Sequence, residues 1–255
     1  MTNVWVICRK ELRSYFASPI AYAVMALFAL IFGFVFFSAT RDFVNFSFRS
    51  QMNGGGPAMS VNDYILRPLL GFAGTVSLFL IPMISMRLFA EEKRNGTIEL
   101  LLTSPVKDLS IILGKWLGAM MLYLFVLGMS LPSVAMLFIW GKPDWKPLLV
   151  AYLGLLLQGG CLLALGALIS AMTSNQIVAG AAAFFVCLML YMLSWFTEYD
   201  SSTSSRVLNY VSIVTHMENF SKGILDLKDS VFYVTFIFLA LFLTVRQMES
   251  LRWRS

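Results

Sequence analysis

The sequence predicts an all-α membrane protein with six transmembrane helices, and three observations carry that prediction. The first is composition: of 255 residues, 58% are hydrophobic and 13% charged, whereas soluble domains carry charge on roughly a quarter of theirs. With 22 Phe, 6 Trp and 15 Met, the chain is far too apolar for disorder, and the excess must face lipid as well as protein. The second is the placement of charge. Charge-free gaps run from Arg13 to Arg41, Arg67 to Arg87 and Lys115 to Lys142, with 27, 19 and 26 intervening residues, each sufficient for a bilayer core needing about 20. The third is tryptophan: Trp116, Trp140, Trp145, Trp195 and Trp253 fall at or just beyond the ends of these stretches, as an aromatic belt requires.

The elements follow in order within a single domain spanning 1–255. Residues 1–18 form an amphipathic helix in which Trp5, Cys8, Leu12 and Tyr15 recur at helical spacing and Arg9, Lys10 and Arg13 gather on the other side. It is expected in the inner membrane interface, ended by Ser18-Pro19. The first span covers about 19–40 and is too long for a cleaved signal core. The second covers 67–87, with Pro82 as an expected kink, and a cytoplasmic loop follows over 88–110. The third covers 112–140, with Pro132 as another kink. From Pro147 to Thr197 there are 51 uncharged residues, and the polar run Met172 to Gln176 divides them into a hairpin of spans 147–171 and 177–197. The last span, 229–247, needs Arg246 to snorkel.

An even number of spans puts both termini on one side. That side holds eleven Lys/Arg and six acids, the other eight and eight, so the positive-inside rule makes both termini cytoplasmic. The net charge of +5 is therefore a topology signal and an attraction to anionic headgroups of the bilayer; nothing asks for nucleic acid. Cys8, Cys161 and Cys187 are odd in number and lie in apolar settings, which predicts free thiols packed as small hydrophobes. Gly114 and Gly118, with the run Gly159, Gly160, Ala164, Gly166, Ala167, Ser170 and Ala171, allow close helix packing, within the chain or against a second subunit.

The most informative stretch is Met86 to Lys115. The second span is expected to continue past Arg87 into a charged extension, and Asn95-Gly96 supplies a turn. Thr97 to Thr103 then makes a short helix with Glu99 in its first turn, stopped by Ser104-Pro105. Leu100, Leu101 and Leu102 cannot all be buried in so small a loop, so a partner should cover them.

Three segments here, Arg87 to Glu92, Gly96 to Val106 and Leu113-Gly114-Lys115, resemble the cytoplasmic signature of ABC-2 type transporter permeases. The segment His216 to Asp226, with His216, Phe220, Gly223 and Asp226 in the pattern H-x-x-x-F-x-x-G-x-x-D, and the terminal Arg252-Trp253 resemble the branch of that family associated with gliding motility. The resemblance implies a permease subunit of an exporter in the bacterial inner membrane. It implies cytoplasmic ABC ATPase subunits as partners, a second permease completing a homo- or heterodimer, and an extracytoplasmic accessory protein. The helix between spans two and three becomes a coupling helix docked on the ATPase, with Glu91, Glu92, Arg94, Gly96, Thr97, Glu99, Leu100 and Leu101 at or near that contact. The segment before the last span becomes partly re-entrant, as short helices dipping toward the outer leaflet; its apolar Tyr210, Ile213, Phe220, Ile224 and Leu225 fit this.

The chain has no phosphate-binding loop, since Gly114-Lys115 is followed by Trp116, so ATP and Mg belong to the partner and the chain is not itself an enzyme. Two other classes compete. An intramembrane protease would need a metal site or a Ser/His pair, but His216 is the single histidine, Glu91-Glu92 lacks its companion Arg, and Gly128-Met129-Ser130-Leu131 is no serine motif. An ion-coupled carrier would bury ionisable groups at mid-depth, and the long gaps offer only Ser, Thr and Gln158.

Overall fold

The computed structural model describes residues 2–52, 60–99, 106–141, 143–197 and 208–252. All regular structure among them is helical. In chain order the helices are α1 (Thr2–Ala17), α2 (Pro19–Met52), α3 (Arg67–Ser85), α4 (Ala90–Arg94), α5 (Asp108–Gly128), α6 (Leu131–Trp140), α7 (Trp145–Met172), α8 (Gln176–Thr197), α9 (Ile213–Ser221) and α10 (Leu227–Arg252), and a π-helical turn, Asn62–Leu66, leads into α3. Six stretches are long and apolar enough to cross a membrane: Pro19–Met52, Asn62–Arg94, Asp108–Trp140, Trp145–Met172, Gln176–Trp195 and Leu227–Ser250. The protein is an all-α membrane protein of six spans.

α7 is the axis of the bundle, packing against α3, α5, α8, α9 and α10. Its small residues make this possible, because each admits a different neighbour. A Cβ on Gly159 would lie 2.1 Å from the Tyr123 ring of α5, one on Gly154 2.4 Å from Phe220 of α9, and one on Gly166 2.1 Å from Ser85 Oγ of α3. In lipid, where helix association rests on such close packing rather than on water exclusion, these glycines set the distances between helices. The small-residue run therefore serves this chain's own core. Two tyrosines bring polar groups into it with partners: Tyr123 meets Ser77 Oγ at 2.8 Å, and Tyr233 donates to the Ile213 carbonyl at 2.9 Å.

The two remaining glycines of the expected packing motif, Gly114 and Gly118 on α5, receive α1. Added Cβ atoms there would sit 2.7 Å from Ile7 Cβ and 2.7 Å from Glu11 Cβ, and further along Phe16 meets Phe125 edge to face at 5.5 Å. α1 thus runs beside α5, with Cys8 and Tyr15 buried. Trp5 lies off the contact with α5, 60% exposed, and Glu11 takes a place on the packed face because a buried lysine meets it there.

Other expectations shift with tertiary contacts. The helix of the first span, α2, continues through Arg41, Asp42 and Arg49 to Met52. Thr40 and Ser47 return their hydroxyls to the carbonyls of Phe36 and Phe43 at 2.8 Å, and Phe43 and Phe46 pack on Tyr64, so the polar residues do not end the helix. Pro132 interrupts the third span, Asp108–Trp140, as expected. The helix breaks at Met129-Ser130 and Pro132 opens the first turn of α6, where its missing N–H costs nothing. Trp116 is not part of a belt, because its indole N–H donates to the Gly160 carbonyl of α7 at 3.1 Å. Trp140, Trp145 and Trp195 are exposed as a belt requires, and Trp253 lies outside the described residues. The hairpin divides where expected, between Met172 and Gln176.

Candidate functional site

The segment after the second span is built by side chains from four other elements. α3 ends at Ser85, and the chain turns through Met86–Phe89 before α4 begins, where a continuous extension was expected. This break exposes backbone groups that Ser170 of α7 satisfies. Its buried hydroxyl accepts from the N–H groups of Phe89 and Ala90 at 3.1 and 3.0 Å and donates to the Met86 carbonyl at 3.0 Å. A residue some eighty positions away thereby caps α4, which has no side-chain cap of its own.

Charge completes the mount. Arg87 grips Glu91 through two bonds, 2.8 and 3.2 Å, and donates to Ser18 Oγ at the α1–α2 corner at 3.1 Å. Lys115 of α5, only 3% exposed, lies 2.7 Å from Glu11 of α1 and 2.9 Å from Glu92 of α4, with Phe89 beneath its ammonium at 5.5 Å. Lys93 donates to the Ala171 carbonyl near the end of α7, and Tyr15 donates to the Ile84 carbonyl at 3.1 Å. Burial pushes the Cys8 thiol upward, reinforced by the Glu11 carboxylate beside it. Burial also raises the Tyr15 phenol, with the carboxylate of Glu11 adding to it.

α4 then stops in a Schellman turn. Gly96 has φ +71, Thr97 N–H donates to the Glu92 carbonyl at 3.0 Å and Gly96 N–H to the Lys93 carbonyl at 3.3 Å, the pairing expected where glycine takes the left-handed position. The Asn95-Gly96 turn stands where the sequence placed it. Arg94, Gly96, Thr97 and Glu99 are exposed. Ile98 and Glu99 are helical, while Leu100, Leu101 and the rest of the short helix expected to Thr103 lie outside the described residues.

The eight residues singled out for this site thus divide. Glu91 and Glu92 have their carboxylates engaged inside the chain, Arg94, Gly96, Thr97 and Glu99 form the exposed tip, and two are not described. Sequence reasoning missed Lys115, Glu11, Ser170 and Ser18 as parts of the mount. Lys115 carried a signal, since it is a lone lysine inside the apolar run Ile111 to Ala119, where burial demands a partner of opposite charge. Ser170 carried none.

The second set, the motif from His216 to Asp226, is brought together at the opposite end of the bundle. His216 is buried on α9, where a loop residue was expected. Its Nδ1 faces Asp229 Oδ1 at 2.6 Å and its Nε2 the Tyr210 carbonyl at 2.8 Å, its ring stacks on Phe232 at 3.9 Å, and Asn219 donates to Asp229 Oδ2 at 2.7 Å. Phe220 is buried against Gly154. Gly223, at φ +75, closes α9 in a second Schellman turn, with Ile224 N–H to the Asn219 carbonyl at 2.9 Å. Asp226 caps α10, accepting from Lys228 N–H at 3.0 Å. The four motif positions therefore fasten α9 to α7 and α10, and the sequence pattern did not disclose Asp229 and Asn219, which complete the network. Ile213 is also buried against protein, whereas Tyr210, Ile224 and Leu225 face outward.

Two frames, one at each end of a six-span bundle, leave a surface turn at the first and a helix folded back on the bundle at the second. No curated protein matches the sequence closely enough to serve as a relative. The model of the ABC-2 family transporter protein matches residues 5–245, which takes in five spans whole and the sixth as far as Val245, together with the mount of α4 and the helix α9. The protein is a permease subunit of an ABC transporter, of a kind that associates with ABC ATPases, and it belongs to the ABC-2 family.

Proposed function

We propose that this permease moves its substrate outward across the bacterial inner membrane, with both termini in the cytoplasm, and that the segment Thr97 to Thr103 is its coupling helix. ATP and Mg are held by the partner ATPase. A second permease, identical or different, completes the pathway. The likeness of the outer motif and the Arg252-Trp253 end to the gliding-motility branch supports a reading nearest that group, with an extracytoplasmic accessory protein as a further partner.

The observation that carries the coupling role is the mount. A push on the exposed tip Arg94 to Glu99 reaches α4, and α4 is tied through Glu92 and Lys115 to α5 and α1, through Glu91 and Arg87 to the α1–α2 corner, and through Ser170 and Lys93 to α7. A rigid link to four helices is what force transfer from an ATPase requires. In this reading Glu91 and Glu92 hold the tip in place, Arg94, Gly96, Thr97 and Glu99 meet the partner, and Leu100 and Leu101 fill an apolar cleft on it.

The test is co-purification of the ATPase together with transport-linked ATP turnover. Leu101→Asp places an unpaired charge in that cleft at a cost of several kcal/mol, so assembly should weaken by roughly a hundredfold or more. Glu99→Ala should reduce coupling a few-fold, as an exposed polar contact would. Undiminished assembly and turnover in Leu101→Asp would remove this segment as the coupling element.

A further inference from the structure

We infer that the cavity between α3, α7, α8 and α9, at the outer end of the bundle, is a binding site for an uncharged hydroxyl-bearing group carried on an apolar body. The cavity measures about 260 Å³ and is lined in part by Gly71, Gly74, Thr75, Gln158, Tyr191 and Met217. A single water occupies about 30 Å³, so the space is several times what solvation of one polar group would need.

The floor carries the argument. Gln158 is 2% exposed, and its amide nitrogen donates to the Gly74 carbonyl at 3.4 Å. That bond fixes which way the amide faces and leaves Oε1 buried with no hydrogen-bond donor. A buried carbonyl without a donor costs free energy, and native proteins leave few of them. A hydroxyl donating to Oε1 would complete the site, and it would find further partners in Thr75 Oγ1 and the Tyr191 hydroxyl, which stand 3.2 Å apart on the facing wall.

The class of ligand follows from what surrounds these atoms. The carboxylate that lines the cavity, Glu218, is engaged at the rim, 2.5 Å from Lys222 and 4.0 Å from Arg67. The floor offers neutral oxygens between apolar walls, where an ammonium or phosphate would be desolvated without a counter-ion. Gly71 leaves room for atoms next to the backbone of α3, with no atom within 4 Å of where its Cβ would stand, whereas the space at Gly74 is taken by the Gln158 amide, whose Oε1 lies 2.9 Å from where a Cβ would be. The neighbouring face of α8 exposes Phe185 and Met189, which suits an apolar chain extending beside it. This inference requires no ATPase and concerns binding by this chain alone, so its failure would leave the coupling role untouched.

The experiment uses the full-length protein in phosphatidylcholine nanodiscs without ATPase, and a monoacylglycerol bearing a diazirine on its acyl chain. Photolysis should place adducts on the segments 71–75, 189–191 and 214–217, and excess unlabelled monoacylglycerol should suppress them. Gly71→Leu puts a side chain into the cavity from a position whose Cβ meets no atom within 4 Å, and should abolish those adducts while α-helicity and thermal stability are kept. Gln158→Leu removes the acceptor and should weaken competition by roughly tenfold, the worth of one hydrogen bond left unmade. Free glycerol competing as well as the monoacylglycerol would keep the hydroxyl site and assign it to soluble polyols. Equal competition by the fatty acid methyl ester, which lacks the hydroxyls, or adducts unchanged in Gly71→Leu, would overturn the proposal by showing non-specific partition at the protein surface.

Discussion

Lys115 is the residue on which the end of the bundle where α1, α4 and α5 meet depends. Its ammonium is shared by Glu11 and Glu92, whose side chains are 13% and 16% exposed, so all three charges sit largely out of water. A buried pair is weak evidence of net stability, but removing one partner leaves the others uncompensated. Lys115→Met should therefore lower the stability of the purified protein by about 3–5 kcal/mol, seen as an earlier thermal transition in mild detergent. Adding Glu11→Leu and Glu92→Leu to Lys115→Met should recover most of that loss, and failure to recover would mean that the lysine acts through packing on Phe89 rather than through charge. The sequence disclosed that a lysine stood in an apolar run, but its acids come from positions 104 and 23 residues away, 115 − 11 and 115 − 92. Such separations carry no local pattern. Ser170 was less legible still, since a serine among small residues in a span reads as packing and nothing nearby says that its hydroxyl caps another helix.

At the scale of elements, the docking of α1 on α5 is set by Gly114 and Gly118. A side chain at Gly118 would collide with Glu11 Cβ at 2.7 Å and crowd the Cys8 carbonyl at 3.3 Å, so Gly118→Val should lift α1 away while the spans stay inserted. Cys8 reports on this directly. In the native protein it is buried and its thiol is raised by burial and by Glu11, so thiolate is scarce at neutral pH. Alkylation should be negligible there and should rise only at pH values above those that activate an ordinary exposed thiol. In Gly118→Val, labelling should become fast and its pH dependence should move down toward that of a free cysteine. Labelling that stays negligible would show that α1 remains docked. Elements whose boundaries depend on local chemistry were legible: the Ser18-Pro19 break, the polar divide of the α7–α8 hairpin and the Asn95-Gly96 turn all stand where their residues put them. Boundaries decided by tertiary contact were not. α2 outruns its expected end because Phe43 and Phe46 find Tyr64.

For the whole molecule, six spans and the bundle geometry reduce orientation to a single choice. α1 shares an end with the loop after α3 whatever the charge rule says, because Glu11, Glu92 and Lys115 meet there and Tyr15 reaches Ile84. The π-helical turn, the α6–α7 connection and α9 occupy the other end, where Asn62 and Asp144 exchange bonds at 3.4 and 3.1 Å. Which end faces the cytoplasm is then a matter of Lys and Arg, eleven against eight, a modest excess of the kind that sets topology when it lies close to the spans. Single cysteines replacing Arg94 and Asn175 should react only from the cytoplasmic side, and one replacing Asp144 only from outside. Three of the eleven, Arg9, Lys10 and Arg13, lie on α1 and are exposed, so they contribute to the bias without building the mount. Replacing all three with Gln leaves eight against eight, and a reversed population should then appear, read as Asp144→Cys protected from an impermeant reagent in part of the molecules. Uniform labelling from outside in that triple variant would locate the topogenic charge in the cytoplasmic loop instead of α1, and cytoplasmic labelling of Asp144→Cys in the parent would invert the orientation and with it the face on which an ATPase could dock.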